Sequence, residues 1–319
     1  MTNKPCNLMT VGLTTLDILG RHIEEIPKTN STKIIQQIEV VPAGTAAGAS
    51  MVAARLGLET ALVSTVGKDR QGRFVLEELK HSGVDVELVD KHDKFPTSQT
   101  ILAIDKNGQR PHFHALGASM FTSVKDETLA KLSDVEFLHW AAVGSPVLKG
   151  ATSRDFLIAA KEAGVTTTCD LIVSDKTVIK ELKNILPYID YFMPSAEEAL
   201  ALTDTENLDA AADAFMAMGS KNCLIKWGSK GVYVATPEIR QLVPAFDIKA
   251  VDTTSCGDSF CAGFVTGLVK KMPLMEAVRF ACATASLVAQ GLGTLGILEN
   301  FEHTLEHSRT CPKKEVEAV

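Results

Sequence analysis

The chain has 319 residues, a mass of 34.3 kDa and a net charge of −7 at neutral pH. That acidic balance argues against nucleic acid or an anionic membrane surface as the main partner, and 45% apolar with 22% charged residues describes a globular protein able to bury a sizeable core. Seven cysteines without CxxC pairs or neighbouring His ligands fit reduced thiols better than a disulfide framework or a zinc site, so the cytoplasm is the expected location.

The first apolar run, Leu8–Leu19, is broken by Thr10, Thr14, Thr15 and Asp17, so it reads as neither a signal peptide nor a span, and no window reaches the ~20 apolar residues of a membrane helix. Asn7–Leu13 instead predicts a buried first strand ending near Gly12. Asp17 follows at a place where a carboxylate is commonly a turn residue. Residues 21–41 alternate loosely, with Ile34, Ile35, Ile38 and Val40 among polar neighbours. Gln99–Ile104 and Arg110–His114 do the same around Asn107-Gly108, a hairpin signal. These half-polar segments predict a small satellite sheet built from about 14–41 and 95–118. Pro42-Ala43-Gly44-Thr45 opens a helix of small residues, Ala46–Leu56, closed by Gly57. Without bulky side chains from Ala46 to Ser50, close packing of that helix is expected. Strand Thr60–Val66 follows, then Asp69 as the cap of a helix that Gly83-Val84 ends.

From Phe137 onward apolar strands and helices alternate. The expected strands are Phe137–Val143, Val165–Val173, Tyr188–Phe192 and Cys223–Lys226; the expected helices lie near Ser153–Ala163, Lys176–Leu186 and Leu208–Met218. Continuous apolar strands with helices between them imply a parallel sheet covered on both faces, whose ligands sit at the carboxyl ends of the strands. Ser195 with Glu198 three residues on is a capping box. Lys226, at the end of its strand, is either a surface lysine or a phosphate ligand. Gly228 and Gly231 mark a turn, and small residues at Ala281, Ala283, Ala285 and Ser286 line the last expected helix, Met275–Gln290. No internal repeat or Pro/Ser linker divides residues 1–319, which predicts a single domain. The charged end, His307–Val319, is expected to fray.

Val251–Gly267, VDTTSCGDSFCAGFVTG, organises the rest. Its first half is small and hydroxyl-rich; its second half places Phe260, Phe264 and Leu268 on one helical stripe. A turn running straight into a helix aims unpaired N–H groups and the positive end of the dipole at one point, which is an anion site. Asp258 at its rim either caps the helix or, if the anion is a phosphoryl group in transfer, takes a proton from the attacking hydroxyl. The helix N-terminus would lower the thiol pKa of Cys256, whereas Asp258 and burial would raise it.

The nonapeptide DTTSCGDSF resembles the DTTGAGDSF signature of the ribokinase (PfkB) family of small-molecule kinases, agreeing at seven of nine positions and differing at Ser255 and Cys256. AGTAAGASMVAARLG is similar to the family's GGxxxNxAxxxARLG, with Ala43 for the first Gly and Gly48 for the Asn, and residues 66–84 fit vGxDxxGxxxxxxLxxxGV without a gap. The resemblance covers about residues 7–297. It implies a three-layer α/β sandwich with a mostly parallel sheet, and a β lid that covers the acceptor and pairs two subunits. It implies Asp258 as catalytic base, an anion hole from Ser255, Cys256 and Gly257, and acceptor contacts from Asp17, Thr15, Ala43, Gly44 and Gly48. Nucleotide contacts would come from Ser195, where the family pattern has Asn, and from Lys226, Gly228, Gly231 and Cys282. Mg²⁺ would be held through water by Glu198, with ATP as phosphoryl donor and a monovalent cation such as K⁺ near Asp252 and Thr254. With Gly for Asn at position 48, a roomier acceptor pocket is expected, suited to a nucleoside or a substituted sugar. The acceptor class is thus a sugar, a sugar derivative or a nucleoside. The competing expectation is a non-catalytic small-molecule-binding protein on the same fold, motivated by Thr15, Gly48, Ser195 and Ser255. The chain has no GxxxxGK[ST] phosphate loop, no HRD or DFG set and no GxGxxG after its first strand, which sets aside P-loop, protein-kinase and dinucleotide-binding folds.

Overall fold

The computed structural model describes residues 4–171 and 175–315. Its main sheet runs in the order Arg240–Val243, Val232–Ala235, Asn222–Lys226, Tyr191–Phe192, Thr166–Leu171, Val135–Val143, Cys6–Gly12, Thr60–Gly67 and Val84–Asp85, with Val89–His92 also pairing with Thr60–Gly67. All pairings are parallel except those of the last hairpin, where Val232–Ala235 runs antiparallel to both of its neighbours. The expected alternation is therefore present. Residues 172 and 173 of the expected Val165–Val173 strand lie outside the described residues.

Helices cover both faces. Ala151–Glu162, Ile179–Ile185, Ala196–Thr203 and Leu208–Ala217 pack Phe156, Leu182, Ala199 and Phe215 against one face around Trp140 and Phe192. Thr45–Arg55, Cys256–Val269 and Leu274–Val288 cover the other through Val52, Phe264 and Phe280. Strands buried on both faces read as near-continuous apolar runs, and Thr60–Gly67, TALVSTVG, is buried at every position. Asp69 caps Arg70–His81 by accepting from the Gly72 N–H at 2.8 Å, as its position in the sequence predicts. The C-terminal segment departs from expectation: Phe301–Thr310 is a helix capped by Asn300, so His307 through Thr310 are ordered in it. Its buried Thr304 and the bond from Ser286 to His307, 2.8 Å, tie it to Leu274–Val288.

A second sheet of four strands, in the order Gln37–Ala43, Thr15–Arg21, Gln99–Ile104 and His112–Ala115, stands apart from the first. Asp17 is thus a mid-strand residue and not a turn residue. In register across this sheet lie Asp17, Thr100 and His114 on one face, and Val40, Ile18, Ile101 and Phe113 on the other. The period of two places Asp17, Thr100 and His114 on the inner face, beside a buried cluster of Leu19, Leu102 and Ile104, and leaves Ile101 and Phe113 exposed on the outer one.

Candidate active site

The carboxyl ends of Cys6–Gly12, Thr166–Leu171 and Asn222–Lys226, the first turn of Cys256–Val269 and the inner face of the small sheet enclose a cavity of about 560 Å³. Thr15, Asp17, Gly44, Asp170, Glu198, Lys226 and Asp258 all open into it, together with Ser195 and the Ser255–Gly257 turn. A smaller apolar compartment of about 260 Å³ adjoins it between the Gly228–Gly231 turn, Phe246, Ile248 and the small residues Cys282, Ala285 and Ser286. Thr253, Cys256, Gly257 and Lys226 line both, so the anion-binding turn stands where the compartments meet.

Asp252 braces that turn. One carboxylate oxygen accepts from the Thr254 N–H and hydroxyl at 2.8 and 2.6 Å, and the other accepts from the Gly293 N–H at 2.9 Å. Gly257 and Asp258 lie in the first helical turn, where N–H groups lack intrahelical acceptors, and Lys226 Nζ would be 3.3 Å from a side-chain carbon at Gly257. Lys226 is in turn ion-paired with Asp170. Burial alone would strip the charge from the Lys226 ammonium, but Asp170 outweighs it and raises the pKa. The strand-end lysine is therefore a largely buried member of the site.

Burial, and then repulsion from Asp170, push the Asp258 carboxyl up to about 7; Lys226, the Ser255 hydroxyl and Arg110 pull the other way. A carboxyl poised there exchanges protons near neutral pH, as a general base must. Asp17 is also raised by burial, against the Thr15 and Thr100 hydroxyls and the His114 and Arg110 side chains. Thr15 donates to Asp17 at 2.8 Å. Gly44 has φ 101°, and a side-chain carbon there would meet the Leu13 carbonyl oxygen at 2.6 Å, so only glycine lets the chain turn from Gln37–Ala43 into the helix.

Ser195 and Glu198 form the expected capping box: the Glu198 carboxylate accepts from the Ser195 N–H at 2.7 Å and the Ser195 hydroxyl accepts from the Glu198 N–H at 3.2 Å. Burial, and then Asp170, raise the pKa of Glu198. Gly228 and Gly231 bound a 3₁₀ turn of the hairpin beside the apolar compartment, which Cys282 also lines. Cys256 lies there too, and burial, followed by Asp252, pushes its thiol up to about 12. The helix N-terminus loses that contest.

Two expected acceptor contacts stand elsewhere. Ala43 is buried at the end of its strand, paired with Thr15. Gly48 opens onto no free space: a side-chain carbon there would lie 3.3 Å from both Asp258 Oδ2 and Ser255 Oγ. The extra room expected at this position is filled by those two residues. Conversely, Asp170, Arg110, His112 and His114 line the cavity without having been singled out. Arg110 Nε donates to Thr253 Oγ1 at 3.2 Å, linking the small sheet to the anion turn. The period-two spacing of positions 110, 112 and 114 and the strand-end position of Asp170 were the available signals.

Fold and site together form an α/β sandwich with buried carboxylates and an anion-binding helix turn in one cavity. Residues 7–300 match the pfkB family of carbohydrate kinases. The chain is 27% identical to a ribokinase of Haemophilus influenzae over 309 residues, 92% of this chain and 97% of that one. It is 26% identical to a nucleoside kinase of Methanothermobacter thermautotrophicus, covering 90% and 91%. It superposes on the structure of Arabidopsis thaliana ribokinase complexed with ribose and ATP with a TM-score of 0.80 and 26% identity, covering 95% and 99%. The chain belongs to the pfkB carbohydrate kinase family and is an ATP-dependent small-molecule kinase.

Proposed function

We propose that the chain transfers the terminal phosphoryl group of ATP to a hydroxyl of a sugar, a sugar derivative or a nucleoside, with Asp258 as general base. The observation that carries this reading is the meeting of Asp17, Asp258 and the N–H groups of the Ser255–Gly257 turn in one cavity. Asp17, steadied by Thr15, grips acceptor hydroxyls. Asp258 accepts the proton of the attacking hydroxyl, and the turn stabilises charge on the phosphoryl oxygens in transfer. The apolar compartment beside Cys282 suits a nucleobase, with Lys226 beside the phosphates. The small sheet acts as a lid that excludes water as a competing acceptor, and the bond from Arg110 to Thr253 supports contact between lid and turn.

Mg²⁺, when bound, neutralises phosphate charge. Glu198 fits as its anchor through water: one oxygen is committed to the Ser195 N–H, the carboxylate lines the cavity beside Asp170, and hydrated Mg²⁺ needs few protein ligands. At the position expected for a monovalent cation, one Asp252 oxygen is filled by the Thr254 N–H and hydroxyl, and the other accepts only from the Gly293 N–H, which leaves one lone pair for an ion. We also infer a homodimer formed through the outer face of the lid. Ile101 and Phe113 are 54% and 67% exposed there, in one row with Ile18 and Val40, and a contiguous apolar stripe is a pairing surface. Sedimentation equilibrium tests this: Phe113→Lys should yield monomers from a dimeric wild type, and a monomeric wild type contradicts it. All seven cysteines are free thiols, which supports a reducing, cytoplasmic setting.

The experiment that tests the function is ADP release from MgATP over a panel of sugars, nucleosides and phosphosugars. Acceptor-dependent ADP release that Asp258→Asn lowers by roughly 10² to 10⁴ is expected. Binding of acceptors without turnover would instead favour a non-catalytic protein on this fold.

A further inference from the structure

Two departures from the family motifs touch each other. Gly48 stands where the pattern has Asn and Ser255 where it has Gly. They come from helices far apart in sequence, yet a side-chain carbon at Gly48 would lie 3.3 Å from Ser255 Oγ, 3.3 Å from Asp258 Oδ2 and 3.5 Å from Asp258 Cβ. Contacts of 3.3 Å are tighter than a methyl group tolerates without movement of its neighbours. The volume vacated at one position is taken up at the other.

Ser255 is also held in an uncommon way. It precedes the first turn of Cys256–Val269 with φ 55° and ψ 11°, a left-handed conformation that glycine adopts far more readily. An N-cap serine ordinarily has extended backbone and a hydroxyl that accepts from an N–H of the first turn. Here the hydroxyl makes no capping bond. The backbone is locked instead through its carbonyl, which accepts from the Ser259 N–H at 2.8 Å and the Ser259 hydroxyl at 2.7 Å. The turn thus keeps a strained serine whose side chain makes no cap for the helix and whose hydroxyl shares the open face of Gly48 with the Asp258 carboxylate, each 3.3 Å from a side-chain carbon built there. A strained residue beside reacting groups points to function.

We propose that Ser255 is a positioning residue for Asp258, its hydroxyl fixing the carboxylate in the cavity, and that Gly48 is side-chain-free to leave that hydroxyl its place. The two positions form one coupled unit. The other charged groups that act on Asp258 are Asp170 and Lys226 from the main sheet and Arg110 from the hairpin of the small sheet; the helix Thr45–Arg55 presents Gly48 at this contact. A hydroxyl donating to the carboxylate favours its charged form, so removing it should make Asp258 harder to ionise.

The inference rests on the proposed role of Asp258 as base, and its test includes a readout that needs no turnover. The Asp258 carboxyl is followed by ¹³C NMR of aspartate-labelled full-length protein, with Asp258→Asn assigning the signal. In Ser255→Gly the midpoint should rise by roughly half a unit to one unit, while the melting temperature holds or increases, because glycine relieves the left-handed backbone. With a turned-over acceptor, kcat should fall about tenfold and the acid limb should move to higher pH. Gly48→Ala should lower kcat in the wild type and cost clearly less in the Ser255→Gly background, since the hydroxyl it would strike is gone. An Asp258 titration unchanged by Ser255→Gly overturns the positioning role. Purely additive effects at positions 48 and 255 overturn the coupling. A wild type that turns over no acceptor, with a shifted titration in Ser255→Gly, contradicts the proposed function and leaves the positioning role supported.

Discussion

The Lys226 ammonium is bound to the Asp170 carboxylate directly beneath the helix turn that carries Asp258. Their side chains are only 13% and 7% exposed, so each charge depends on the other. Lys226→Met leaves a buried carboxylate unpaired, and should destabilise the protein by about 3 kcal/mol and weaken nucleotide binding. Denaturant unfolding and ATP titration check both effects.

Asp170 acts on Asp258 as well. Because Asp170 repels the ionised form of Asp258, Asp170→Asn should lower the Asp258 pKa and move the acid limb of the pH–rate profile to lower pH. An acid limb that stays put would assign the raised value to burial alone.

Asp258 should cost stability at the pH where it works. Its folded value, about 7, lies above the ordinary 3.8. Below about pH 4 the group is neutral in both states; as pH rises towards 7 the unfolded chain releases a proton that the folded one retains, and stability is lost across that window. Asp258→Asn should therefore melt clearly higher than the wild type at pH 8, by a smaller margin at pH 5, and lose turnover by roughly 10² to 10⁴. Paired melting curves at the two pH values decide the stability claim.

Glu198→Gln separates the two uses of Glu198. Glutamine can still accept from the Ser195 N–H and complete the capping box, so the melting temperature should hold. The Mg²⁺ concentration for half-maximal rate should rise, because the anchoring charge is gone. A lowered melting temperature with unchanged Mg²⁺ dependence would leave only the cap.

Most of the fold was legible because its signals are local. Apolar runs such as TALVSTVG mark buried parallel strands, Asp69 and Ser195 mark helix starts, and Asn107-Gly108 marks a hairpin. The site was legible where one contiguous stretch builds it, from Asp252 to Asp258. What stayed hidden depends on contacts between distant segments. Asp17 reads as a turn residue until Gln99–Ile104 pairs beside it in a strand. Asp170 gains meaning only from Lys226, 56 residues away. Gly48 reads as open space until Ser255 is found against it. The charged C-terminus reads as frayed because its docking, through buried Thr304 and the Ser286–His307 bond, is a contact with a distant helix that local composition does not reveal.

The measurement that bears most directly on Asp258 as general base is the pH dependence of kcat/KM for the best acceptor, which reports the free protein's essential groups. The account predicts a rate that rises with pH to a plateau, with an acid-limb midpoint near the Asp258 value of about 7, and that collapses in Asp258→Asn at every pH. A flat profile from about pH 5.5 to about 8.5, or turnover retained by Asp258→Asn, would contradict it.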